Sequence, residues 1–411
     1  MAFQQGLSGL NAASRNLDVI GNNIANVNTT GMKASRTEFS DLYASNLGSG
    51  GSANTPGIGV QTAAISQQFT QGNLTTTGND LDLAINGAGF YTVELPNGET
   101  AYTRNGTFKL NSDGEIVTNG GAKLQGNIFD PLTGAVTKGT LSLPTGKGVA
   151  GHQSSTITTG ANLDTSAVVY NSVTPNTALS TYGTSVTVYD SQGAAVPVGL
   201  YYQKTAANTW SVYADYPKGT ASTGPVQVGN VTFDANGNLE TATNVAGTGP
   251  ITLDSVQVAG SATPAFNVSL DMTNMTQNAS SFYVSSLKQD GYAPGELTGM
   301  AFSENGTLTA RYSNGQTQST GQIQLANFRN VQGLEPSSGD YWKETVASGA
   351  PIKNAPGSGN FGKVSSGSLE DSNVDLTAEL VNMMTAQRAY QANAQTIKTQ
   401  DQIMSTLVNL R

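Results

Sequence analysis

The stretch Gly21–Lys33, GNNIANVNTTGMK, holds four asparagines, two threonines and two glycines where a segment of helical periodicity ends. Upstream of it, apolar residues recur at spacings of three and four, which is typical of a helix with one apolar face. Asn26, Asn28 and Gly31 belong to residue types that tolerate left-handed backbone and cap carbonyl groups, so we expect the helix to end here. The stretch is therefore predicted to join the first helix to the domains that follow it.

The amides inside this helix predict contacts with other molecules. Asn22 and Asn23 lie within the helical part, where we expect their amides to bond to neighbouring copies of the chain. Asn26 joins them as a candidate contact at the helix end. The apolar stripe of the same helix supplies the remaining candidates, which are Phe3, Leu7, Leu10, Leu17, Ile20 and Ile24.

A second helix is predicted at the C-terminus from a seam that steps alternately by four and three residues, as in a coiled coil. Ser372 and Asp375 form a Ser-x-x-Asp capping pattern, which predicts the start of this helix. Eight of the ten seam positions are apolar, and the seam consists of Leu376, Leu380, Met383, Gln387, Tyr390, Ala394, Ile397, Asp401, Met404 and Val408.

The other faces of the C-terminal helix are rich in neutral amides, among them Gln391, Gln395 and Gln402. A solvated helix usually carries more charge on its exposed faces. Neutral amides both donate and accept hydrogen bonds, which suits a helix surrounded by copies of itself. Self-assembly is therefore favoured over the alternative, an intramolecular helix pair that only closes one domain.

Between the two helices the pattern changes to short β-type runs. Asn-Gly dipeptides, which favour tight hairpin turns, separate many of these runs. Stretches rich in Gly, Pro and Ser mark matching domain edges on both sides of the middle. We therefore predict a mainly β protein with terminal α-helices, elongated and built from nested, discontinuous domains. The predicted domains are a helical, coiled-coil-like core (1–30 and 370–411), a connecting segment (31–71 and 356–369), a first β domain (72–145 and 285–355) and an inserted outer β domain (146–284).

The composition argues against several classes of partner. With 11% charged residues, a net charge of -9 and an isoelectric point near 4.6, the chain offers no basic face to nucleic acid or anionic membranes. The 411 residues contain no cysteine, so neither a disulfide framework nor a thiolate metal site is expected. The sequence contains no apolar run of about 18 residues, so membrane insertion is not predicted. The N-terminus lacks the pattern of a cleavable signal peptide.

No catalytic, cofactor or metal site is predicted. His152 lies in a glycine-rich stretch without obvious partners for a catalytic triad. The run 234–238 has the spacing of a calcium loop, but Leu239 stands where such a loop needs glycine. A hairpin turn explains this run more simply.

A secreted carbohydrate-binding β protein is the alternative from another functional class. Such a protein needs an aromatic platform, which Trp210, Tyr201, Tyr202 and Tyr213 could supply. Alternation along the predicted strands makes a core or sheet-face role the more common outcome for these rings.

Long motifs lie at both ends of the chain and in the first β domain. The N-terminal motifs are NAASRNLDVIGNNIAN at 11–26 and TGMK at 30–33. The others are DLAINGAGF at 82–90, YTRNGTF at 102–108, LEDSNVDL at 369–376 and AQRAYQANAQ at 386–395. Together they resemble the bacterial flagellar rod and hook axial proteins, and motifs of this length are highly specific. The length of the chain and its insert resemble the hook members, whereas distal rod members and hook-associated members are the alternatives within the family.

The resemblance implies a structural subunit, not an enzyme, of a bendable helical tube that joins rod to filament, transmits torque and encloses an export channel. The terminal helices would form the inner tube, with Gln391, Gln395 and Gln402 as candidates to face the lumen. Implied partners are many copies of the chain, the distal rod protein, the hook cap, the hook-filament junction proteins and the type III export apparatus. The implied location is the extracellular hook of the flagellum, reached without a cleaved signal peptide.

Overall fold

The computed structural model describes residues 2–42, 57, 59–130, 134–144, 148–169, 182–218, 224–258 and 263–409. An α-helix stands at each end, α1 (Ala2–Ala25) and α2 (Leu376–Asn409), and strands occupy most of the chain between them. The predicted fold class, mainly β with terminal helices, is confirmed.

The strands are numbered along the chain, and a 3-10 turn lies at Val331–Gly333. They are β1 (Ser35–Leu42), β2 (Gly59–Gln67), β3 (Leu74–Thr76), β4 (Leu83–Asn86), β5 (Phe90–Glu94), β6 (Thr100–Thr103), β7 (Phe108–Leu110), β8 (Ile116–Thr118), β9 (Lys123–Phe129), β10 (Val136–Thr140), β11 (Thr156–Asp164), β12 (Gly183–Tyr189), β13 (Ala195–Ala206), β14 (Thr209–Asp215), β15 (Val226–Phe233), β16 (Leu239–Asn244), β17 (Ile251–Val256), β18 (Phe266–Asp271), β19 (Thr276–Asn278), β20 (Tyr283–Gln289), β21 (Leu297–Phe302), β22 (Thr307–Tyr312), β23 (Thr317–Ile323), β24 (Leu325–Asn327), β25 (Glu335–Ser337), β26 (Tyr341–Lys343), β27 (Ile352–Asn354), β28 (Lys363–Ser366) and β29 (Ser368–Glu370).

Helix α1 ends inside the asparagine-rich stretch, as its sequence predicts. The Asn26 side chain donates from Nδ2 to the Asn22 carbonyl oxygen at 3.0 Å and so caps one of the last carbonyls of the helix. Gly31 then takes the left-handed conformation, with φ of 75°. Asn26 and Asn28 do not share that conformation, so the change of direction depends on Gly31.

The chain divides into two compact units. Unit 1 contains Met1–Thr145, Gly299–Ala310 and Thr317–Arg411, and unit 2 contains Gly146–Thr298 and Arg311–Gln316. The predicted end of the insert at residue 284 is wrong, because it falls inside β20. This strand pairs with β11 of unit 2 over most of its length, and its hydrogen bonds hold it in that unit.

Unit 2 contains two five-stranded sheets. One has the antiparallel order β12-β13-β14-β15-β16. In the other, β18 and β19 pair parallel with the two ends of β11, β20 pairs antiparallel with β11, and β17 pairs with β18. Apolar side chains from both sheets form one core, which includes Ile157, Val198, Trp210 and Val268. Alternating apolar residues therefore face the partner sheet, as strand geometry requires.

The four aromatic residues considered for a platform are divided between the two faces of the β12–β16 sheet. Trp210 has no exposed surface, and its Nε1 donates to Gln277 Oε1 at 3.0 Å. Tyr202 and Tyr213 are also buried, and Tyr201 is half-buried. Trp210 and Tyr202 lie in the core between the sheets, whereas Tyr201 and Tyr213 pair across β13 and β14 on the opposite face. The alternative of one carbohydrate-binding platform built from these four rings is therefore wrong.

Unit 1 contains an antiparallel sheet with the strand order β23-β9-β5-β6-β26-β25. Edge-to-face aromatic contacts join Phe90 to Phe69, Phe328 and Trp342 on this sheet. Strands from the two ends of the chain pair with each other, β28 with β4 and β29 with β3. The pairing of early with late strands makes unit 1 a product of both chain ends.

Replacing Gly31 by alanine should destabilise unit 1 more than replacing Gly78, the matched control. Both glycines have φ of 75°, a conformation that costs alanine about 1–2 kcal/mol. A Cβ on Gly31 would lie 2.6 Å from the backbone nitrogen of Asn105, whereas a Cβ on Gly78 would meet nothing within 4 Å. The clash should add about 1–3 kcal/mol to the loss of unfolding free energy. Urea denaturation measures both losses, and equal values would contradict the close contact.

Candidate assembly interface

Asn23 is buried and bonds within its own chain. Its Nδ2 donates to the Ser35 carbonyl oxygen at 2.8 Å, and its Oδ1 accepts from the Ser35 N–H at 2.9 Å. The side chain amide thus pairs with the first residue of β1 as a neighbouring strand would. The prediction that this amide bonds to another copy is wrong, because only 1% of Asn23 is exposed and both of its polar atoms are used.

Asn22, the preceding residue, is accessible to other molecules, as the sequence predicts for both Asn22 and Asn23. Asn22 is exposed on the outer face of α1, and Asn26 is half-buried. Asn22 therefore stays a candidate for contacts with another molecule, whereas Asn26 acts in this chain as a cap.

Helices α1 and α2 pack against each other through small residues. A Cβ on Gly6 would lie 3.0 Å from Ile397 Cγ1, and a Cβ on Gly9 would lie 2.9 Å from the Asn393 amide. Ala13 and Ala386 are buried in the same region. The absence of large side chains lets the two backbones approach closely.

The predicted seam of α2 mostly points away from this contact. Leu376, Leu380, Tyr390 and Met404 are exposed, with 46% of Leu380 accessible to solvent. Met383, Ala394 and Ile397 are half-buried, and the side chain of Val408 lies outside the described residues. The sequence reasoning missed three further exposed apolar side chains on α2, which are Val381, Met384 and Ile403.

The candidates on α1 divide in the same way. Phe3 and Leu7 are exposed, whereas Ile20 is buried. Leu10, Leu17 and Ile24 are half-buried. The lumen candidates Gln391, Gln395 and Gln402 are all exposed on α2. Each helix therefore uses only part of its apolar surface inside the chain.

Asp375 alone caps the start of α2. Its Oδ1 accepts from the Thr377 N–H at 2.9 Å and from the Ala378 N–H at 3.2 Å. The capping pattern that began at Ser372 is wrong, because Ser372 lies before the helix, where its hydroxyl accepts from the Val374 N–H at 3.3 Å. Asp375 also places a carboxylate at the positive end of the helix dipole.

A buried ion network lies just before α2. Glu370 Oε1 is 2.6 Å from Lys33 Nζ, and Glu370 Oε2 is 3.1 Å from Arg104 Nη1. The side chains of Lys33 and Glu370 have no exposed surface. Lys33 also donates to the Thr70 carbonyl at 2.8 Å, and Arg104 donates to the Gly87 carbonyl at 2.9 Å.

Burial disfavours the charged form of Lys33. It lowers the pKa of the Lys33 ammonium below its usual value, although the Glu370 carboxylate acts in the opposite direction. Burial also raises the pKa of the nearby Tyr91 phenol. Among the described residues, Arg104 Nε and Tyr91 Oη find no hydrogen-bond partner. The buried region around Glu370 therefore contains close ion pairs and also two polar atoms without a hydrogen-bond partner among the described residues.

Sequence reasoning did not identify this network, although its members stand in the quoted motifs. Lys33 ends TGMK, Arg104 lies within YTRNGTF, and Glu370 lies within LEDSNVDL. Charged residues inside otherwise neutral motifs were the available signal. Their partners could not be paired from sequence because 266 residues separate Arg104 from Glu370.

Asn373 fastens the segment between this network and α2. Its Nδ2 donates to the Gln68 carbonyl at 2.7 Å and to Thr70 Oγ1 at 2.8 Å. Its Oδ1 accepts from the Ala34 N–H at 2.7 Å. One amide therefore joins the root of α2 to the segments on both sides of the β1–β2 hairpin.

The described residues contain no group of three or more acidic, histidine or cysteine side chains that could hold a metal ion. His152 stacks on Tyr292 with 5.5 Å between ring centroids. Asp234 Oδ1 accepts from the backbone N–H groups of Asn236 and Asn238, so the calcium-like run is a hairpin turn. None of the described helices has the length and apolar character needed to cross a membrane.

Four family models match successive parts of the chain. They are the flagella basal body rod protein (3–33), the flagellar hook protein FlgE/F/G D1 domain (84–159), the flagellar basal body protein FlaE D2 domain (162–292) and the flagellar basal body rod FlgEFG protein C-terminal region (365–410). Fold and matches together define a structural protein of the flagellar axis, a non-enzymatic class.

Relatives that match along the whole chain define the class more narrowly. The flagellar hook proteins FlgE of Salmonella typhimurium and Escherichia coli K12 are each 42% identical to the chain, over 420 and 425 residues, and both alignments cover 100% of each sequence. The FlgE protein of Rhizobium meliloti is 35% identical, with 100% of the chain and 98% of the relative covered. The chain belongs to the flagellar hook protein FlgE family.

A solved structure is similar in fold. The crystal structure of Helicobacter pylori flagellar hook protein FlgE2 matches with a TM-score of 0.54 at 14% identity, and the match covers 71% of this chain and 98% of that one. At this identity the likeness concerns the fold alone.

Asn23→Leu should lower the free energy of unfolding by about 1–3 kcal/mol, because the N–H and C=O of Ser35 would lose their partner in a buried position. Asn22→Leu, at the adjacent exposed position, should change it by less than about 0.5 kcal/mol. Urea denaturation of dilute, monomeric chain measures both. Equal losses in the two variants would contradict the intramolecular role of Asn23.

Proposed function

We propose that many copies of this chain assemble through α1 and α2 into the helical tube of the flagellar hook. The tube joins the rod to the filament, bends, transmits torque and encloses an export channel. The observation that carries this proposal is the exposed apolar surface of the terminal helices, which includes Phe3 and Leu7 on α1 and Leu380, Met384 and Met404 on α2. An exposed apolar surface of this kind marks a site of protein association.

The lengths of the helices support the same conclusion. Helix α2 has 34 residues and α1 has 24, so α1 covers only one face of α2 over part of its length. Beside the helix contact lies a groove lined mainly by small side chains, among them Ala12, Ala389 and Val60. Contacts between different surfaces of identical chains generate a filament when the rotation between successive copies does not close a ring.

We further propose partners and a route of delivery that suit such a subunit. The distal rod protein and the hook-filament junction proteins adjoin the two ends of the tube, and the hook cap covers the growing end. The chain reaches the extracellular hook through the type III export apparatus without a cleaved signal peptide. Support comes from the full-length relatives, which are flagellar hook proteins.

The tube can bend if the helix contacts between copies persist while the outer surfaces of neighbouring copies slide past each other. Only 11% of the residues are charged, so few ion pairs between neighbouring copies would have to break during sliding. Exposed ion pairs also contribute little to stability, since each is solvated in either arrangement.

Leu380→Asp should prevent tube formation while the folded monomer is retained. Leu380 is 46% exposed, and an aspartate there would be buried without a partner when copies pack. Thr399→Asp, an exposed polar position on the same helix, is the matched control.

Negative-stain imaging of concentrated chain, with circular dichroism of dilute chain, measures both properties. Curved tubes are expected for the unaltered chain and for the control, and short or absent tubes for Leu380→Asp. Straight rods would favour a rod protein instead, and tubes of normal length from Leu380→Asp would contradict the α2 interface.

Replacing Gln391 and Gln395 together by leucine should slow export of later subunits without stopping hook growth. Both amides are exposed on α2, on the side away from Asn393, and leucine would present apolar surface to an unfolded chain passing through the lumen. Thr396→Val, nearer the α1 contact, is the control. Filament length per cell measures export, and unchanged length in the double variant would contradict a lumen position.

A further inference from the structure

Glu370 joins three segments that are far apart in the chain. Its Oε1 accepts from Lys33 Nζ at 2.6 Å and from the Gly72 N–H at 3.0 Å, and its Oε2 accepts from Arg104 Nη1 at 3.1 Å. Its backbone carbonyl accepts from the Gly31 N–H at 2.8 Å. Lys33 precedes Glu370 by 337 residues and Arg104 precedes it by 266, so one residue near the C-terminal end closes contacts made by residues 31–104.

Loss of the Glu370 carboxylate would leave two buried cations without an opposite charge. Among the described residues, Glu370 supplies the only carboxylate in an ion pair with Lys33 or Arg104. Without it, the two cations would keep the carbonyl oxygens of Thr70 and Gly87 as partners and would carry uncompensated charge in a buried place. A buried charge that loses its partner is strongly destabilising, whereas an exposed one is not.

The order of the chain determines which charges are present first. Synthesis delivers Lys33, Gly72 and Arg104 before Glu370, and strand β29, which ends at Glu370, can pair with β3 only when nearly all of the chain exists. The remaining contacts of this region point to the same segment, since the Asp371 N–H donates to the Asn73 carbonyl at 2.8 Å.

We propose that Glu370 is a chain-completion latch for unit 1. The region around Lys33, Gly72 and Arg104 stays open until the C-terminal segment brings the carboxylate into place, and it then closes in one step. An incomplete chain therefore does not close unit 1. The latch also sets the root of α2, because that helix begins at Leu376, six residues beyond Glu370. It does not depend on the proposed function.

Hydrogen exchange of the full-length chain tests the latch. During refolding, the Gly31 and Gly72 amides should become protected in the same kinetic phase as the Asp371 amide, because all three depend on docking of the same segment. Protection of Gly31 or Gly72 in an earlier phase than Asp371 would overturn the proposal.

A set of variants separates the effect of charge from that of shape. Glu370→Gln keeps the shape of the side chain but removes its charge, and it should lower the native-state protection of Gly31 and Gly72 at least about tenfold. The control Glu304→Gln removes the carboxylate of an exposed pair with Lys363 and should leave this protection unchanged.

The double variant Lys33→Met with Glu370→Gln leaves only Arg104 unpaired, so it should recover part of the lost protection or, if Glu370→Gln does not fold, restore folding. Protection in Glu370→Gln within about twofold of the unaltered chain would contradict the latch. A double variant no better protected than Glu370→Gln would contradict it as well.

Discussion

Glu370 lies without exposed surface between Lys33 and Arg104, and both ends of the chain are positioned by this contact. The charges are expensive to bury, so the three side chains tolerate only the arrangement in which all of them meet. Strand β29 pairs with β3 and so positions the Glu370 carboxylate. Asn373 then bonds the following segment to the Gln68 carbonyl, and Asp375 caps the start of α2. The direction of α2 within unit 1 is therefore set by polar contacts at its root.

The pairing of α1 and α2 is governed by a different constraint, the close approach of two backbones. Gly6 and Gly9 admit Ile397 and Asn393, and the larger apolar side chains are left on the outer faces. An isolated chain thus combines a precise helix contact with exposed leucine, methionine and tyrosine side chains. This combination suits a subunit that must be held rigidly at its root and still offer surface to its neighbours.

Much of the fold could be predicted from local patterns. Helical periodicity located α1 and α2, Gly31 supplied the left-handed turn, and the Asn-Gly turns indicated the β units. Apart from the Ser372 cap and the backbone conformation of Asn26 and Asn28, the assignments that failed concern partners outside the local pattern. The sequence predicts a bond from the Asn23 amide to another copy, but the amide bonds to Ser35 of the same chain. The predicted end of the insert falls inside β20, because the pairing of β20 with β11 is not visible in the sequence. The Glu370 network was missed for the same reason.

Local patterns of residue types predict where the helices and many of the turns occur and which flagellar family the motifs resemble, because these properties depend on residues within short spans. Composition adds that the chain has no cysteine and a net charge of -9. The face of α2 that meets α1, the apolar side chains that remain exposed and the charges that are buried together are seen in the folded chain alone. Those outcomes depend on segments hundreds of residues apart arriving at the same place, and burial gives polar atoms an energetic value that a local pattern does not carry.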